Sequence, residues 1–306
     1  MKKTVAFVYW PRMTTAFDTI LNDQLALHPE AHAAACRHFF SHFNLSSQPK
    51  SLSDLQIILA AFAKLPYENL SKIIKLHQHG EDPARLRLPE DVIEDYRQWN
   101  LGGTCFSLTF FLQALLLHRG YTCYPVMADM RAGRNVHCAL IVKLDGAKHL
   151  ADPGYVLDRP LFIDPAHARA YHTEFTGVEL RFDVAAQRFH LYTFNQHETK
   201  WRYSFVDRPT PQAEFLSHWQ ASFGRNSMHA LCLSRARHGG LLYIHGAFMR
   251  ESSWQGKRNR NIKNAMHQAI EENFGIPAML VEQAQAALQE NLRRERNGHH
   301  RILPVL

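Results

Sequence analysis

The feature that most limits how this chain can fold is one long apolar stretch. Residues 102–120 read GGTCFSLTFFLQALLLHRG, and large apolar side chains would occupy every side of a helix built from them. A helix that is apolar all round must be buried. Thr104 is a favourable N-cap, which makes Cys105 the first helical residue, and Gly120 suits the position after the C-cap. The stretch therefore predicts a central helix that other elements surround.

The place of Cys105 on this helix allows its thiol two roles. The positive end of the helix dipole and the free N–H groups of the first turn lower the pKa of a thiol. The same N–H groups can bind a developing oxyanion, and the two preceding glycines let a substrate approach the backbone. Free cysteine is, however, among the most buried residue types. Cys105 is thus either a core residue or a nucleophile, and a nucleophile needs a base.

A predicted β-hairpin brings a base and a carboxylate onto one face. Apolar runs flank Asp145-Gly146, which is a strong signal for a two-residue turn. In that register Asp152 lies opposite Ala139, so His137 and Asp152 become diagonal neighbours roughly 7–8 Å apart. A carboxylate there can hold one imidazole nitrogen and leave the other to take a proton from Cys105. Each residue alone is more often structural, but the three together predict a catalytic triad.

Hydrophobic periodicity outlines the rest of the chain. The first hundred residues are predicted to be mainly helical, residues 121–195 to form an antiparallel sheet or barrel, and the last third to be mixed. Predicted helices span Ala31–Phe43, Leu52–Ala63 with a cap at Ser51 or Ser53, Asp91–Trp99, Lys263–Phe274 and Val281–Arg294. Predicted strands span Cys138–Leu144, the alternating Val178–Val184, Phe189–Phe194, Ala230–Leu233 and Leu241–Gly246.

Charge and composition narrow the functional classes. The net charge is +7 and the isoelectric point about 9.2, but the positive residues are scattered except in Lys257–Lys263 and Arg293–Arg301. No recognition motif accompanies them, so we expect no nucleic-acid partner. No run reaches the ~18 apolar residues of a membrane span, and Val5–Trp10 is too short for a secretory signal. We expect a protein without a membrane partner.

The histidines and cysteines indicate neither a metal site nor a disulfide framework. The chain has 20 histidines and five cysteines, and none of them has the spacing of a zinc finger or of a metalloprotease helix. The cysteines are odd in number and scattered, as is typical of a reduced compartment. We therefore expect a cytoplasmic protein with no bound metal.

Three short motifs and one late helix resemble those of the arylamine N-acetyltransferases, within the wider transglutaminase-like Cys-His-Asp superfamily. That family carries Arg-Gly-Gly-x-Cys-x-Glu-x-Asn at its nucleophile, an upstream Pro-Phe-Glu-Asn-Leu and an Asp-Val-Gly-Phe around its aspartate. The matching segments here are Leu101–Thr109, Pro66–Leu70, Asp152–Tyr155 and, in the late helix, Phe274–Ile276. The resemblance spans about residues 50 to 285, and the chain is identified on it as a divergent member.

The resemblance implies an α+β fold in three parts around a cysteine-proteinase-like core. A helical bundle is expected over residues 1–100. The nucleophile helix and an antiparallel β-barrel follow over residues 101–200, and an α/β lid with C-terminal helices over residues 201–306. It also implies catalytic roles for Cys105, His137 and Asp152.

The implied reaction is ping-pong acyl transfer. The thiolate of Cys105 would take an acyl group from a thioester, commonly acetyl-CoA, which is a co-substrate and not a permanently bound cofactor. A small-molecule amine would then accept the group. Tyr67 and Tyr155 match positions that line the family's acceptor pocket, and Phe106 is assigned to the same substrate site. Arg225 is placed to meet coenzyme A phosphates.

Departures from the family pattern leave the substrates open. The family's arginine, glutamate and asparagine are replaced by Leu101, Ser107 and Thr109. Loss of a whole ion pair is compatible with a repacked, intact fold. An amide synthase of a biosynthetic pathway and a transglutaminase-like amide hydrolase are alternative functions. A non-catalytic binding protein is disfavoured by the complete triad, and the oligomeric state is left open.

Overall fold

The computed structural model describes residues 27–173 and 175–299. The apolar run Val5–Trp10 and the last residues of the basic segment Arg293–Arg301 lie outside these ranges. Helices in the described ranges are α1 Ala33–His42, α2 Leu52–Phe62, α3 Leu70–His79, α4 Pro89–Trp99, α5 Cys105–His118, α6 Gln212–Ala221, α7 Met266–Phe274 and α8 Ala278–Arg294. The predicted helices are therefore confirmed with small shifts at their ends. Ser51 caps α2 by accepting the N–H of Asp54 at 3.1 Å.

Helix α5 begins and ends at the residues its sequence predicts. Thr104 is the N-cap, and the hydroxyl of Ser107 accepts the Thr104 N–H at 3.1 Å, which satisfies one donor at the helix start. Gly120 ends the helix with φ of 87°, in the left-handed region that favours glycine. Every residue from Cys105 to Leu116 is buried, so the predicted central helix is confirmed.

The strands form two antiparallel sheets. Their bounds are β1 Tyr67–Glu68, β2 Thr122–Met130, β3 Gly133–Leu144, β4 Ala147–Ala151, β5 Leu161–Phe162, β6 Arg169–His172, β7 Gly177–Asp183, β8 Arg188–Phe194, β9 Thr199–Phe205, β10 Cys232–Arg237, β11 Gly240–His245, β12 Phe248–Ser253 and β13 Gly256–Asn261. One sheet has the order β5-β4-β3-β2-β9-β8-β7-β6 and is a nearly closed barrel. The other has the order β1-β10-β11-β12-β13.

The hairpin between β3 and β4 has the predicted register. Leu144 pairs with Ala147 and Leu140 with Ala151. The turn residues Asp145 and Gly146 have φ of 49° and 77°, the positive values that a type I′ turn requires at both positions. The turn contains only these two residues, and strand pairing begins directly beside it. The register of β3 against β4 is therefore fixed, and with it the face of the sheet that each side chain occupies.

The three-part fold is confirmed, although its parts are interlocked. Strand β9 belongs to the barrel and crosses the predicted boundary at residue 200. Strand β1, from the helical part, pairs with β10 of the second sheet. The predicted strand Val178–Val184 ends one residue early, because Val184 lies in the following turn with 70 % of its surface exposed. The exact division at residues 100 and 200 thus stays a prediction.

Helix α8 covers the outer face of α3. Asn291 donates from Nδ2 to the carbonyl of Ile73 at 3.1 Å, and Arg294 donates to the carbonyl of His77 at 3.1 Å. The bond from Arg294 satisfies a carbonyl group in the last turn of α3, which has no donor inside the helix. Across residues 27–173 and 175–299, no helix is long and apolar enough to cross a membrane.

Candidate active site

Three separate segments bring Cys105, His137 and Asp152 together. Cys105 is the first residue of α5, His137 lies on β3, and Asp152 directly follows β4. All three are buried. Gly154 sits between them: a Cβ atom there would lie 2.7 Å from Cε1 of His137 and 3.1 Å from Cβ of Cys105. A side chain at this position would push the thiol and the imidazole apart, so the close approach requires glycine.

The carboxylate of Asp152 is held by three donors. His137 Nε2 lies 2.8 Å from Oδ2, and the hydroxyl of Tyr203 donates to the same oxygen at 2.6 Å. The backbone N–H of Tyr155 donates to Oδ1 at 3.2 Å. The imidazole is therefore fixed through Nε2, and its Nδ1 is left for the thiol of Cys105, with which His137 is hydrogen-bonded.

The surroundings of Cys105 and His137 shift the pKa of both side chains towards their charged forms. The pKa of Cys105 lies well below its usual range because Cys138 and His137 donate hydrogen bonds to the sulfur, and these outweigh burial. Burial alone would lower the pKa of His137, but the charge and hydrogen bond of Asp152, aided by Cys105, raise it to about 10. Both shifts favour the thiolate–imidazolium form of the pair, which is the reactive form of a cysteine.

The other cysteines show the opposite behaviour. Burial raises the pKa of Cys36 and Cys123 to about 12 and that of Cys232 to about 11. Burial also holds the pKa of Cys138 well above its usual range, so Cys138 stays a neutral donor to the sulfur of Cys105. Reactivity is therefore confined to one of five buried or half-buried thiols.

A buried guanidinium supports the loop that precedes Cys105. Arg87 donates from Nη1 to the carbonyl of Gly102 and, at 3.3 Å, to Glu68 Oε1, and from Nη2 to Asp95 Oδ2 at 2.7 Å. Gly102 itself lies so close to the carbonyl of Pro66 that a Cβ atom would overlap it. The loop is thus held between β1 and α4, and Cys105 is held with it.

Arg87 supplies a guanidinium to this loop, although the motif position for arginine itself is occupied by leucine. Leu101 occupies that position and is fully buried in the hydrophobic core. A guanidinium reaches the loop instead from Arg87, just before α4. Sequence reasoning missed this residue, and the only signal was a lone arginine between Leu86 and Leu88 ahead of a helix-starting proline.

A cavity of about 1680 Å³ opens onto Cys105 and His137. The three residues assigned to substrate binding all line it. Tyr155 packs edge-on to His137 with ring centroids 5.3 Å apart. Phe106 is fully buried, with its ring centroid 5.4 Å from that of Phe215, so it forms the packed wall behind the cavity surface. Tyr67 lines the cavity from β1.

Four further residues of this region were not predicted as site residues. Tyr203 and Cys138 complete the hydrogen bonds of the Asp152 carboxylate and the Cys105 sulfur. Lys72 and Ser222 line the cavity near Cys105 and are bonded to each other. Arg225, which was expected to meet donor phosphates, also lines the cavity. Within the described parts of the chain, no cluster of three His, Cys, Asp or Glu side chains could hold a metal ion.

Comparison with known proteins shows which solved structures the fold is similar to and which family the sequence matches. The structure is similar to arylamine N-acetyltransferases from Mycobacterium abscessus (15 % identity, TM-score 0.70, 82 % of this chain and 94 % of that one) and Nocardia farcinica (17 %, 0.70, 88 % and 99 %). It is also similar to the arylamine N-acetyltransferase from Salmonella typhimurium (17 %, 0.67, 83 % and 98 %). No curated protein sequence matches the chain. The N-acetyltransferase family model matches residues 51–281, and the chain therefore belongs to the arylamine N-acetyltransferase family of enzymes.

Proposed function

We propose that this enzyme transfers an acyl group, acetyl above all, from a thioester to an amine by a ping-pong mechanism. The observation that carries the proposal is the hydrogen-bonded chain from Cys105 through His137 to Asp152, in which the pKa of the thiol is lowered and that of the imidazole raised. An acyl-cysteine intermediate divides one difficult exchange into two easier steps.

In the first step the thiolate of Cys105 attacks the thioester carbonyl and forms a new carbon–sulfur bond. The tetrahedral oxyanion lies at the start of α5, where backbone N–H groups have no partner inside the helix. The old carbon–sulfur bond then breaks, and the imidazolium of His137 gives its proton to the departing thiolate. The products of this step are an acyl-Cys105 thioester, a free thiol and a neutral imidazole.

In the second step an amine attacks the acyl-Cys105 carbonyl. His137 accepts the proton of the attacking nitrogen, the carbon–sulfur bond breaks, and the amide leaves while the thiolate returns. Asp152 stabilises the imidazolium that forms, and its fixed position keeps Nδ1 aimed at the sulfur. Tyr203 and the N–H of Tyr155 hold the carboxylate in place.

Acetyl-CoA is the proposed donor and a small-molecule amine the proposed acceptor. The cavity exceeds the roughly 300–1,000 Å³ of a site for one drug-sized ligand. It therefore has room for a long thioester and, after the donor thiol departs, for an amine. The aromatic rings of Tyr67 and Tyr155 give the acceptor an apolar surface next to the nucleophile.

The test is direct detection of the acyl-enzyme. The protein is incubated with acetyl-CoA and with longer acyl thioesters, and peptide mass spectrometry locates the acyl group, with Cys105→Ser as the control. We expect the group on Cys105 and much faster loss of it to aromatic amines than to water. If every amine fails to speed the loss, the enzyme is a hydrolase. If no thioester acylates Cys105, the proposed mechanism is wrong.

A further inference from the structure

Lys72 is a buried lysine that forms no ion pair with an acidic residue among those the structure describes. It lies on α3 with 6 % of its surface exposed. Its Nζ donates to Ser222 Oγ at 2.5 Å and to the Ser222 carbonyl at 3.2 Å, and it sits 4.4 Å from the centre of the Phe223 ring. These partners are all neutral. A buried cation is usually paired with a carboxylate, because desolvation of an unpaired charge is costly.

A second cation on the same cavity wall is in the same situation. Arg225 donates from Nη2 to the carbonyl of Asn135 at 3.1 Å, and its guanidinium lies 5.8 Å from the centre of the Phe106 ring. In the parts of the chain that the structure describes, no carboxylate forms an ion pair with Lys72 or Arg225, whereas the buried Arg87 has Glu68 and Asp95. Both unpaired cations line the cavity.

In the free enzyme the thiolate of Cys105 acts as a balancing charge for both cations. Burial above all, together with the positive charges of Arg225 and Arg85, lowers the pKa of Lys72 to about 7, although the charge of Cys105 opposes the shift. Cys105 likewise opposes the lowering of the Arg225 pKa. Lys72 and Arg225 are thus both stabilised by the thiolate of Cys105, which is the proposed nucleophile.

Acylation removes this anion. A thioester on Cys105 is neutral, and the proton of His137 leaves with the donor thiol in the proposed mechanism. Lys72 and Arg225 then lose the negative charge that favours their protonated forms, at the moment when the second substrate must bind. A negatively charged group on a substrate would restore the balance and form charge-assisted hydrogen bonds with both donors.

We infer that the Cys105 end of the cavity takes a substrate that carries a carboxylate, which Lys72 and Arg225 bind. This inference rests on the proposed function and names a class of substrate for it. The carboxylate belongs either to the amine or to the acyl group, since both pass through the same end of the cavity.

The phosphates of coenzyme A fit this position less well. Its pantetheine arm separates the sulfur from the phosphates by many bonds, whereas Lys72 and Arg225 both act electrostatically on the sulfur of Cys105. Exposed cations such as Arg134 and Lys200 also line the cavity and are more open to a large polyanion. The expected role of Arg225 in phosphate binding is therefore reassigned to a substrate carboxylate.

The test compares substrates that differ in one charge. The amine pair is 4-aminobenzoate and 4-aminobenzamide, and the acyl pair is malonyl-CoA and butyryl-CoA. The readout is the ratio of kcat/KM for the charged member to that for the neutral member. We expect a ratio of about ten or more for one pair, which identifies the source of the carboxylate. We expect it to fall about tenfold or more in Lys72→Met and less in Arg225→Met.

Two controls keep the test decisive. Lys64→Met removes an exposed lysine that sits over Phe43, outside the cavity lining, and should leave the ratio unchanged. The second control is calorimetric titration of Cys105→Ser, which needs no turnover. Because serine at position 105 is neutral, this variant should bind the charged member of the favoured pair about tenfold more tightly than the neutral member.

The outcomes separate this inference from the proposed function. Suppose that thioesters acylate Cys105 but neither substrate pair shows a preference for its charged member, or that Lys72→Met and Arg225→Met both keep that preference. The carboxylate inference is then overturned, while the proposed function stands. If no thioester acylates Cys105, the proposed function fails, and the titration still decides whether a carboxylate binds.

Discussion

The two ends of helix α5 differ in how the buried charged side chains beside them are paired. At the C-terminal end, Arg119 donates to both carboxylate oxygens of Asp54, at 2.7 and 3.2 Å, and to the carbonyl of Ser46. Tyr121 donates to the same carboxylate at 2.9 Å and accepts the N–H of Ser51 at 3.2 Å. The guanidinium and the carboxylate at this end neutralise each other, and neither residue lines the cavity of Cys105.

At the N-terminal end the charges are only partly balanced and face a cavity. The thiolate of Cys105 interacts electrostatically with three basic side chains, those of His137, Lys72 and Arg225. The same helix and the same apolar surroundings therefore carry a structural ion pair at one end and a reactive one at the other. Perturbed pKa values combined with an open cavity distinguish a functional site from a structural network.

The largest expected difference between the two ends is chemical reactivity. Iodoacetamide should label Cys105 at pH 7 roughly 100-fold faster than Cys123, which lies near the other end and has a pKa of about 12. Because the pKa of Cys105 is lowered, its labelling should stay constant across neutral pH and fall only as the pH drops through that value.

Turnover should fall as the pH rises through about 10, where His137 loses its proton. Peptide mapping and pH–rate profiles measure both.

The matching substitution is Cys105→Ser. It should reduce turnover by roughly 10³-fold or more and abolish the fast labelling, while far-ultraviolet circular dichroism stays unchanged. Full activity of this variant, or first labelling of Cys36, Cys123, Cys138 or Cys232, would contradict the assignment of the nucleophile.

The next effect is on stability and concerns the other end. Arg119→Met should lower the free energy of unfolding by about 3 kcal/mol, because it leaves the buried carboxylate of Asp54 without its cation. Urea denaturation measures this change. The folded variant should keep its turnover, since Arg119 lies at the end of α5 away from the cavity. A large loss of activity without loss of stability would show that the two ends are coupled.

The smallest effect concerns Tyr203, which positions the carboxylate of Asp152. Tyr203→Phe removes only the hydroxyl that donates to Asp152 at 2.6 Å. We expect kcat to fall roughly tenfold, because a hydrogen bond to a charged group is lost. KM should not change, since Tyr203 packs behind the imidazole and is not part of the cavity lining. A rise in KM with constant kcat would assign Tyr203 to substrate binding instead.

Local signals in the sequence were enough to predict the helix and the hairpin. Cys105 could be placed because a cap residue and a terminal glycine mark both ends of α5. His137 and Asp152 could be paired because a two-residue turn fixes the register of β3 and β4, so their common face followed from counting residues. Such signals depend only on neighbours along the chain.

The remaining parts of the site depend on contacts between distant segments. Tyr203 reaches Asp152 from β9, 51 positions later, and Lys72 meets Ser222 across 150 positions. Arg87 supports the nucleophile loop from a segment whose sequence shows no motif. Neither periodicity nor turn chemistry indicates which of many lysines, arginines or tyrosines will face the site, because tertiary packing decides it.

Strand β1 also sets the order in which a newly made chain can become an enzyme. Tyr67 pairs with Ser234 and bridges to Gly103, beside the nucleophile, and Asn69 binds the N–H of Cys232 at 2.7 Å. The ribosome has to release the segment around residue 234 before Tyr67 can find its partner strand, although Cys105, His137 and Asp152 emerge long before. Synthesis thus delays completion of the pocket, and during that interval Cys105 lacks the surroundings that the finished fold gives it.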